Sequence, residues 1–339
     1  MESTTTTTTT ATTRTPRTAD NPITPRPTQA PSAETVALNT PGVGKGIVSY
    51  IKSIIHVIRV RQWIKNLFLF IPSFFAGHLF KTEELFLVGI GAVAFSLVAS
   101  GVYVLNDYRD RFVDRLHPTK RYRPIASGEI GAATAWTLIV TLVISGLAIA
   151  AFLEMTFFYL LVTYLALNVG YSMGLKNIPI VDLFIVSLGF LLRIYSGGVI
   201  ADLPITHWLS IMILLLALFL IIARRRDDIL INAKSGSVIR KSIQAYNLDF
   251  INSCITLLSA VVIVAYIMYT VSPEVTERFN SDYLFVTTIF VIAGIMRYLQ
   301  IIFVENKSGS PTRIFVKDKF ILMTIAGWIL SFYLIIYAL

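Results

Sequence analysis

Residues 85–114 read LFLVGIGAVAFSLVASGVYVLNDYRDRFVD, and this stretch decides what kind of protein the chain is. The part from Leu85 to Leu105 contains no charged side chain and is long enough to cross a bilayer, which takes about 20 apolar residues. The part from Asn106 to Asp114 carries three aspartates and two arginines. A membrane helix that runs directly into such a cluster predicts a functional site where the helix reaches the membrane surface.

The composition of the whole chain agrees with a membrane protein. Of its 339 residues 55% are hydrophobic and only 14% are charged, and the mean hydropathy is +0.69. Soluble proteins carry roughly 25% charged residues, so a water-soluble enzyme is excluded. The net charge of +9 indicates basic cytoplasmic loops or anionic ligands rather than nucleic acid. The single cysteine, Cys254, excludes a disulfide framework and a cysteine-based zinc site.

The first 46 residues differ from the rest of the chain. An unbroken threonine run, Thr4 to Thr10, precedes scattered proline, serine and alanine. Such a composition buries too little apolar surface to offset the entropy of ordering, so residues 1–46 are predicted to be a disordered tail. No apolar stretch follows the early charges, so the tail does not resemble a signal peptide. The folded transmembrane domain is predicted to cover residues 47–339.

Nine segments are apolar and long enough to span a bilayer. Backbone groups inside lipid must be hydrogen-bonded within the segment, so each is predicted to be a helix and the fold class is an all-α membrane protein. The approximate segments are 64–80, 85–105, 132–153, 156–174, 179–200, 206–223, 252–271, 283–303 and 319–338.

The positions of lysine and arginine predict the orientation of these spans. If the N-terminus is cytoplasmic, 25 of the 29 basic residues lie in cytoplasmic segments or, like Lys65 and Lys319, at the cytoplasmic ends of spans, while two lie in outside loops and two deeper within spans. Cytoplasmic loops are enriched in Lys and Arg, so this division favours nine spans with the N-terminus inside and the C-terminus outside.

The acids that follow span two form the first candidate site. At 100° per residue, Asp107, Asp110 and Asp114 fall within about 60° of one another, with Asn106 nearby. Like charges on one helical face repel unless a cation neutralises them, and oxygen ligands at this spacing suit Mg²⁺ bound to a phosphate-bearing substrate. The alternative is a helix end whose acids pair with arginines of the same segment, which are Arg109, Arg111 and Arg115.

The loop after this helix supplies cations beside the acids. Two prolines and a glycine shape residues 117–128, and Lys120 and Arg123 are candidates for binding phosphate oxygens of a polyphosphate. The alternative is that these cations only follow the bias for basic cytoplasmic loops. His117 stands alone in sequence and is predicted to shape the loop.

A second polar set lies around spans four and five. Asp182 and Arg193 are 11 residues apart, so they nearly share a helical face and are separated by about 16 Å. A charge near mid-membrane usually faces a cavity or an acidic partner, which predicts a polar pocket opening from the cytoplasmic side. The alternative is that these charges take part in a buried structural salt bridge. The remaining members of the set are Asn168, Tyr171, Ser172 and Lys176.

Lys65 is a further candidate, placed about one turn inside the first predicted span. Its ammonium group is expected either to bind an anionic substrate group or to extend to the phosphates of membrane lipids.

These motifs resemble those of a known family. The pattern Asn106-Asp107-x-x-Asp110-x-x-x-Asp114, followed by His117-Pro118-x-Lys120-x-x-Arg123-Pro124, is similar to the first Asp-rich motif of the UbiA-type intramembrane transferases. Tyr171-Ser172-x-x-Leu175-Lys176, with Asp182 after it, resembles their second conserved region. The resemblance covers about residues 50–339 and implies nine transmembrane helices around a central cavity.

Two further patterns resemble one branch of this family. Aromatic prenyltransferases carry two or more acids in the second region, whereas this chain has Asp182 and then Arg193. The patterns Arg61 to Asn66 and Leu175 to Arg193 are similar to the decaprenyl-phosphate phosphoribosyltransferases. That resemblance implies transfer of 5-phosphoribose from phosphoribosyl pyrophosphate to a polyprenyl phosphate, for arabinan synthesis at a bacterial inner membrane.

The resemblance also implies roles for the candidate residues. Asp107 and Asp110 are expected to be catalytic by holding Mg²⁺ on the pyrophosphate, assisted by Asn106 and Asp114. The active site is expected to face the cytoplasm, and whether the protein forms a homo-oligomer is left open. The residues expected to bind substrate are Lys65, Lys120, Arg123, Tyr171, Lys176, Asp182 and Arg193.

Two other functions remain as alternatives. The first is a prenyltransferase that moves a prenyl chain from a prenyl diphosphate to an aromatic or quinone acceptor. The second is a transporter or carrier of lipid phosphates. Such proteins often show internal repeats, whereas this sequence shows no convincing repeat and its polar residues gather at one membrane face.

Overall fold

The computed structural model describes residues 46–78, 80–117, 119–235, 245–305, 314–315 and 317–337. Every regular element in these ranges is a helix, in agreement with the predicted all-α fold. The predicted disordered tail lies outside the described residues except for Gly46, so its disorder stays a prediction.

Eleven α-helices are described, together with short 3₁₀ segments between them. The α-helices are α1 Ile47–Ile58, α2 Ile71–Phe75, α3 Thr82–Leu116, α4 Ala132–Leu153, α5 Met155–Met173, α6 Val181–Ile200, α7 His207–Ser235, α8 Leu248–Thr270, α9 Pro273–Phe279, α10 Thr288–Phe303 and α11 Lys319–Tyr337. The 3₁₀ segments are Val60–Phe70, Lys120–Tyr122, Leu175–Asn177 and Tyr283–Thr287.

Eight helices in the described part of the chain are long and apolar enough to cross a membrane. They are α3 to α8, α10 with the 3₁₀ segment before it, and α11. They correspond to the predicted spans two to nine.

The segment 64–80, predicted as the first span, is not one continuous α-helix. A 3₁₀ helix covers Val60–Phe70, and α2 continues it only as far as Phe75. Gly77, with φ of 75°, then turns the chain in a conformation that suits glycine. Together these pieces are shorter than a regular membrane span, so the count of nine spans and the orientation derived from it stay predictions.

The 3₁₀ helix Val60–Phe70 is nevertheless packed deeply into the bundle. Leu69 is fully buried, and its carbonyl oxygen lies against Gly197 of α6. A Cβ at position 197 would stand 1.8 Å from that oxygen, so only glycine allows this approach of the two backbones. This part of the segment therefore packs directly against the backbone of α6.

Helix α3 positions the first candidate site. Its 35 residues extend about 52 Å, whereas the hydrocarbon core of a bilayer is about 30 Å thick. The first turns carry Glu83 and Glu84, the middle is apolar, and the last three turns carry Asn106 to Asp114. One end of α3 therefore places the acidic motif beyond the apolar middle of the bundle.

A buried ion pair joins the start of α6 to α7. The Asp182 carboxylate is fully buried, and its Oδ2 lies 3.0 Å from Nη2 of Arg225. The Tyr246 hydroxyl donates to Asp182 Oδ1 at 3.4 Å and accepts a hydrogen bond from the Ile180 amide. Asp182 therefore takes part in a buried salt bridge, the predicted alternative to a polar pocket, and its counterion lies on α7.

We predict that Asp182→Ala destabilises the protein far more than Asp228→Ala. Removing Asp182 leaves the buried Arg225 without its fully buried charge partner, which costs about 3–5 kcal/mol. Asp228 also contacts Arg225, at 3.0 Å, but is partly exposed and leaves the Asp182 pair intact, so its loss is expected to cost about 1 kcal/mol or less. Thermal unfolding of the purified protein in detergent measures both, and equal shifts in the two variants would contradict the assignment.

Candidate active site

Two aspartates of the acidic motif meet a single guanidinium. Nη1 of Arg123 donates to Asp107 Oδ1 at 3.0 Å and to Asp114 Oδ2 at 2.7 Å. Both carboxylates are almost fully buried, at 4% and 3% exposure. The i, i+7 spacing thus places them on one face, and the loop after α3 folds back so that Arg123 lies between them.

A second arginine contacts Asp107 from a different part of the chain. Nη2 of Arg59 donates to Asp107 Oδ1 at 2.6 Å, and its guanidinium lies 5.1 Å from the centre of the Tyr103 ring. Arg59 ends α1 in a left-handed conformation, with φ of 56°. Sequence analysis missed this contact because it joins residues 48 positions apart and no local spacing signals it.

The third aspartate faces the second motif. Nζ of Lys176 donates to both carboxylate oxygens of Asp110, at 2.7 and 2.9 Å. One turn earlier, the Ser172 hydroxyl donates to Asn106 Oδ1 at 3.5 Å. The structure therefore brings together the two motifs that the sequence singled out, across 66 residues of chain.

The turn after α5 allows Lys176 to reach Asp110. Gly174, with φ of 155°, ends α5 at Met173 and starts the 3₁₀ turn Leu175–Asn177. This backbone conformation is rare for residues with a side chain. Lys176 consequently projects toward α3 from a short, sharply bent connection.

The carboxylates do not pair with the arginines of their own helix segment, so that alternative is wrong. Arg111 packs on the rings of Tyr108 and Phe112, at 4.0 and 4.3 Å. Nε of Arg115 donates to the Ala126 carbonyl at 2.9 Å, and Arg109 is exposed. The cations that neutralise the acidic face instead come from α1, from the loop after α3 and from the turn after α5.

The acidic face has the donor chemistry of a Mg²⁺ site, although its carboxylates are paired with cations. Asn106 and Asp110 are one turn apart and both face α5, and the Asp110 side chain is 32% exposed. Amide and carboxylate oxygens are ligands that suit Mg²⁺. In the described residues no three His, Cys, Asp or Glu side chains are arranged as a metal cluster. The residues thus fit a metal that arrives with its substrate and keeps several water ligands.

The loop that follows α3 behaves partly as predicted. Nδ1 of His117 accepts a hydrogen bond from the Thr119 amide at 3.2 Å, which fits a role in shaping the loop. Arg123 lies beside the acids, whereas Lys120 is exposed on the turn Lys120–Tyr122. Pro118 of this motif lies outside the described residues.

The members of the second polar set contact two different elements. Ser172 and Lys176 face the acids of α3, while Asp182 pairs with Arg225 of α7. Tyr171 is half-buried and within electrostatic reach of Arg225. Arg225 was not among the residues predicted to form the site. Spans five and six are adjacent and antiparallel, so the start of one and the end of the other share a membrane surface, which is the signal that points to this pair.

Arg193 and Lys65 lie deeper in the bundle. Nε of Arg193 donates to Asn66 Oδ1 at 2.8 Å, and Lys65 precedes Asn66 on the 3₁₀ helix. Two apolar grooves of about 380 and 300 Å³ lie elsewhere, on α2 with α11 and on α3 with α4 and α5, and contain none of the predicted site residues. The predicted central cavity therefore stays a prediction.

Comparison with known proteins identifies the family. The profile of the UbiA prenyltransferase family matches residues 67–337. The decaprenyl-phosphate phosphoribosyltransferase of Mycolicibacterium smegmatis is 31% identical over 300 residues, which cover 86% of this chain and 93% of that protein. The Corynebacterium glutamicum protein of the same name is 28% identical over 287 residues, covering 84% and 86%.

Solved structures support the same fold. A UbiA homologue from Archaeoglobus fulgidus, bound to DMAPP and Mg²⁺, aligns with a TM-score of 0.63 at 20% identity and covers 85% of this chain and 100% of that one. At that identity the likeness shows the fold alone. With eight apolar helices and a family profile over most of its length, the chain is a multi-pass membrane protein, and it belongs to the UbiA prenyltransferase family.

Proposed function

We propose that the protein transfers 5-phosphoribose from phosphoribosyl pyrophosphate to a polyprenyl phosphate such as decaprenyl phosphate, and releases pyrophosphate. The relatives that match nearly the full chain are named for this activity. The structural observation that carries the proposal is the meeting of Asp110 with Lys176, which joins the acidic motif to the second motif. Acids and cations are thereby concentrated at one end of α3, where a polyanionic donor bound with a metal fits.

The acidic face would hold the donor through its pyrophosphate. Asp107 and Asp110 would bind Mg²⁺, with Asn106 and Asp114 assisting. When bound, the metal neutralises charge on the leaving pyrophosphate. Lys176 and Arg123, which now contact the carboxylates, would donate to phosphate oxygens, with Lys120 assisting from its exposed turn.

The acceptor needs no strong general base, because its phosphate is already ionised. One phosphate oxygen attacks C1 of the ribose, the bond from C1 to the pyrophosphate oxygen breaks, and pyrophosphate leaves with the electron pair. The work of the chain is to position both anions and to stabilise the developing charge on the leaving group. Lys65 and Arg193 would contact the phosphate of one of the two substrates.

Asp182 and Tyr171 were both predicted to bind substrate. Asp182 is fully buried against Arg225, which favours a role in holding α6 on α7. Tyr171, half-buried at the end of α5 beside Ser172, is better placed to contact the sugar.

The proposed setting is a bacterial inner membrane, with the active site facing the cytoplasm and the product used in cell-envelope arabinan synthesis. The split of 25 basic residues inside against two outside supports this orientation of nine spans around a central cavity.

The alternative is prenyl transfer from a prenyl diphosphate to an aromatic or quinone acceptor. The family profile supports it at the level of the family. The second motif of this chain weakens it, because Asp182 is the single acid there and is engaged by Arg225. Incubation with labelled phosphoribosyl pyrophosphate or labelled prenyl diphosphate separates the two activities. Transfer of label only from the prenyl donor would overturn the proposal.

We predict that Asp107→Asn and Asp110→Asn each lower Mg²⁺-dependent turnover by about 100-fold, because each removes a charge that binds the metal on the leaving group. Asp249→Asn, at an exposed acid in the first turn of α8, is the matched control and is expected to retain activity. Turnover is measured in detergent across a Mg²⁺ titration. Near wild-type rates in both site variants would remove the metal role.

We predict that Lys176→Ala raises the KM for phosphoribosyl pyrophosphate by about 10- to 100-fold, since it removes a charged hydrogen bond to a phosphate. Lys176→Arg keeps the charge and is expected to restore part of the affinity. The unfolding temperature is expected to change little, because the Asp110 carboxylate left without Lys176 is partly exposed and water can solvate it. An unchanged KM in the alanine variant would end the assignment of Lys176 to the donor.

A further inference from the structure

A buried guanidinium in the middle of the bundle lacks a counterion. Arg193 is only 5% exposed, and its side chain donates to Asn66 Oδ1 at 2.8 Å, the Gly189 carbonyl at 2.6 Å and the Tyr164 hydroxyl at 3.2 Å. All three acceptors are uncharged. Within the described ranges no carboxylate forms an ion pair with Arg193. A buried charge that is unpaired is costly and points to a compensating ligand.

The surroundings of Arg193 are aromatic but leave donors free. Its guanidinium carbon lies 4.7 Å from the ring centre of Phe95, 4.9 Å from that of Tyr164 and 5.6 Å from that of Phe190. The rings offset part of the charge through cation–π attraction. A guanidinium has five N–H donors, and the contacts above use three. Two N–H groups therefore remain for an anion.

A second cation without a partner lies beside it. Lys65 is half-buried, and its ammonium makes no hydrogen bond or ion pair with any described residue. The charges that act on it belong to Arg193, Arg224 and Arg59, all of which are positive. Asn66, the next residue, is fixed between Arg193 and the Ser96 hydroxyl. Arg193 and Lys65 are thus two neighbouring cations that have no carboxylate partner among the described residues.

Three contacts between α3 and the segment that contains the 3₁₀ helix Val60–Phe70 show how deep in the membrane these cations lie. Arg59 contacts Asp107, Trp63 donates to Ser100, and Asn66 donates to Ser96. Moving from Asp107 to Ser96 covers 11 residues of helix, or about 16 Å. Ser96 lies near the middle of α3, so Asn66 and Arg193 lie well inside the bilayer span. Lys65 lies between this level and the acidic face.

We infer that Lys65 and Arg193 bind the phosphate of the lipid acceptor, a phosphomonoester dianion carried by a polyprenyl chain. The inference rests on the proposed function for the identity of the acceptor. The donor binds at the acidic face, about 16 Å away along α3, whereas the walls around Arg193 are aromatic and lie at membrane depth. A lipid-borne phosphate reaches this level with its tail in apolar surroundings. The flexible side chain of Lys65 then holds it on the path toward the donor.

The test measures binding of farnesyl monophosphate to the purified full-length protein in detergent by calorimetry, without donor. Farnesol supplies the same chain without charge, and ribose 5-phosphate supplies a soluble phosphomonoester. Lys65→Met and Arg193→Gln are each expected to weaken farnesyl monophosphate binding by at least about 10-fold. Ribose 5-phosphate binding is expected to be unchanged by Lys65→Met. The matched control is Lys52→Met, at an exposed lysine of α1.

A stability measurement separates a ligand site from a structural one. In ligand-free protein Lys65→Met is expected to keep or raise the unfolding temperature, because it removes repulsion from three nearby guanidinium groups. A lower unfolding temperature together with unchanged binding would overturn the inference. So would loss of ribose 5-phosphate binding with farnesyl monophosphate binding intact, since the cations would then serve the donor.

The outcomes distinguish this inference from the proposed function. If farnesyl monophosphate binds as expected but phosphoribosyl transfer does not occur, the function fails and the lipid-phosphate site stands. If transfer occurs while Lys65→Met and Arg193→Gln bind farnesyl monophosphate like the wild type, the function stands and the inference fails.

Discussion

Compensation of buried carboxylates by cations from distant parts of the chain is the constraint on which the candidate site depends. Asp107 and Asp114 are almost fully buried on one face of α3, and two like charges there repel unless they are neutralised. Arg123 bridges both, and Arg59 adds a second guanidinium to Asp107. The end of α1 and the loop after α3 must therefore come together at one point.

The same pairing explains how the site would accept a polyanion. With the carboxylates paired to cations, the acidic face is close to electrically balanced before any substrate binds. Under the proposed function, a donor that arrived with Mg²⁺ would add negative and positive charges together, and Asp110 and Lys176 would hold the metal and a phosphate respectively. The buried charges would then be neutralised both with and without bound substrate, so the site at the end of α3 would be stable in both states.

The sequence predicted the parts of this arrangement that depend on local spacing. Apolar length located the eight described membrane helices, and helical periodicity placed Asp107 and Asp114 on one face. It did not locate the partners, because the contacts of Arg59 with Asp107 and of Lys176 with Asp110 cross 48 and 66 residues. Hydropathy does not distinguish a 3₁₀ helix from an α-helix, so the sequence did not predict the 3₁₀ helix Val60–Phe70 at the start of the first span.

Helix α6 shows why pairing, rather than periodicity, decides the role of a buried charge. Its spacing places Asp182 and Arg193 on nearly the same face but about 16 Å apart along the helix, which is too far for a mutual salt bridge. The fold instead gives Asp182 a counterion on α7, while Arg193 receives only neutral acceptors and aromatic rings. As a result, the charge of Asp182 at the start of α6 is neutralised, whereas the middle of the helix carries the positive charge of Arg193. An uncompensated charge at that depth is costly. The buried charge of Arg193 therefore fits a substrate anion that would bind beside it and neutralise it.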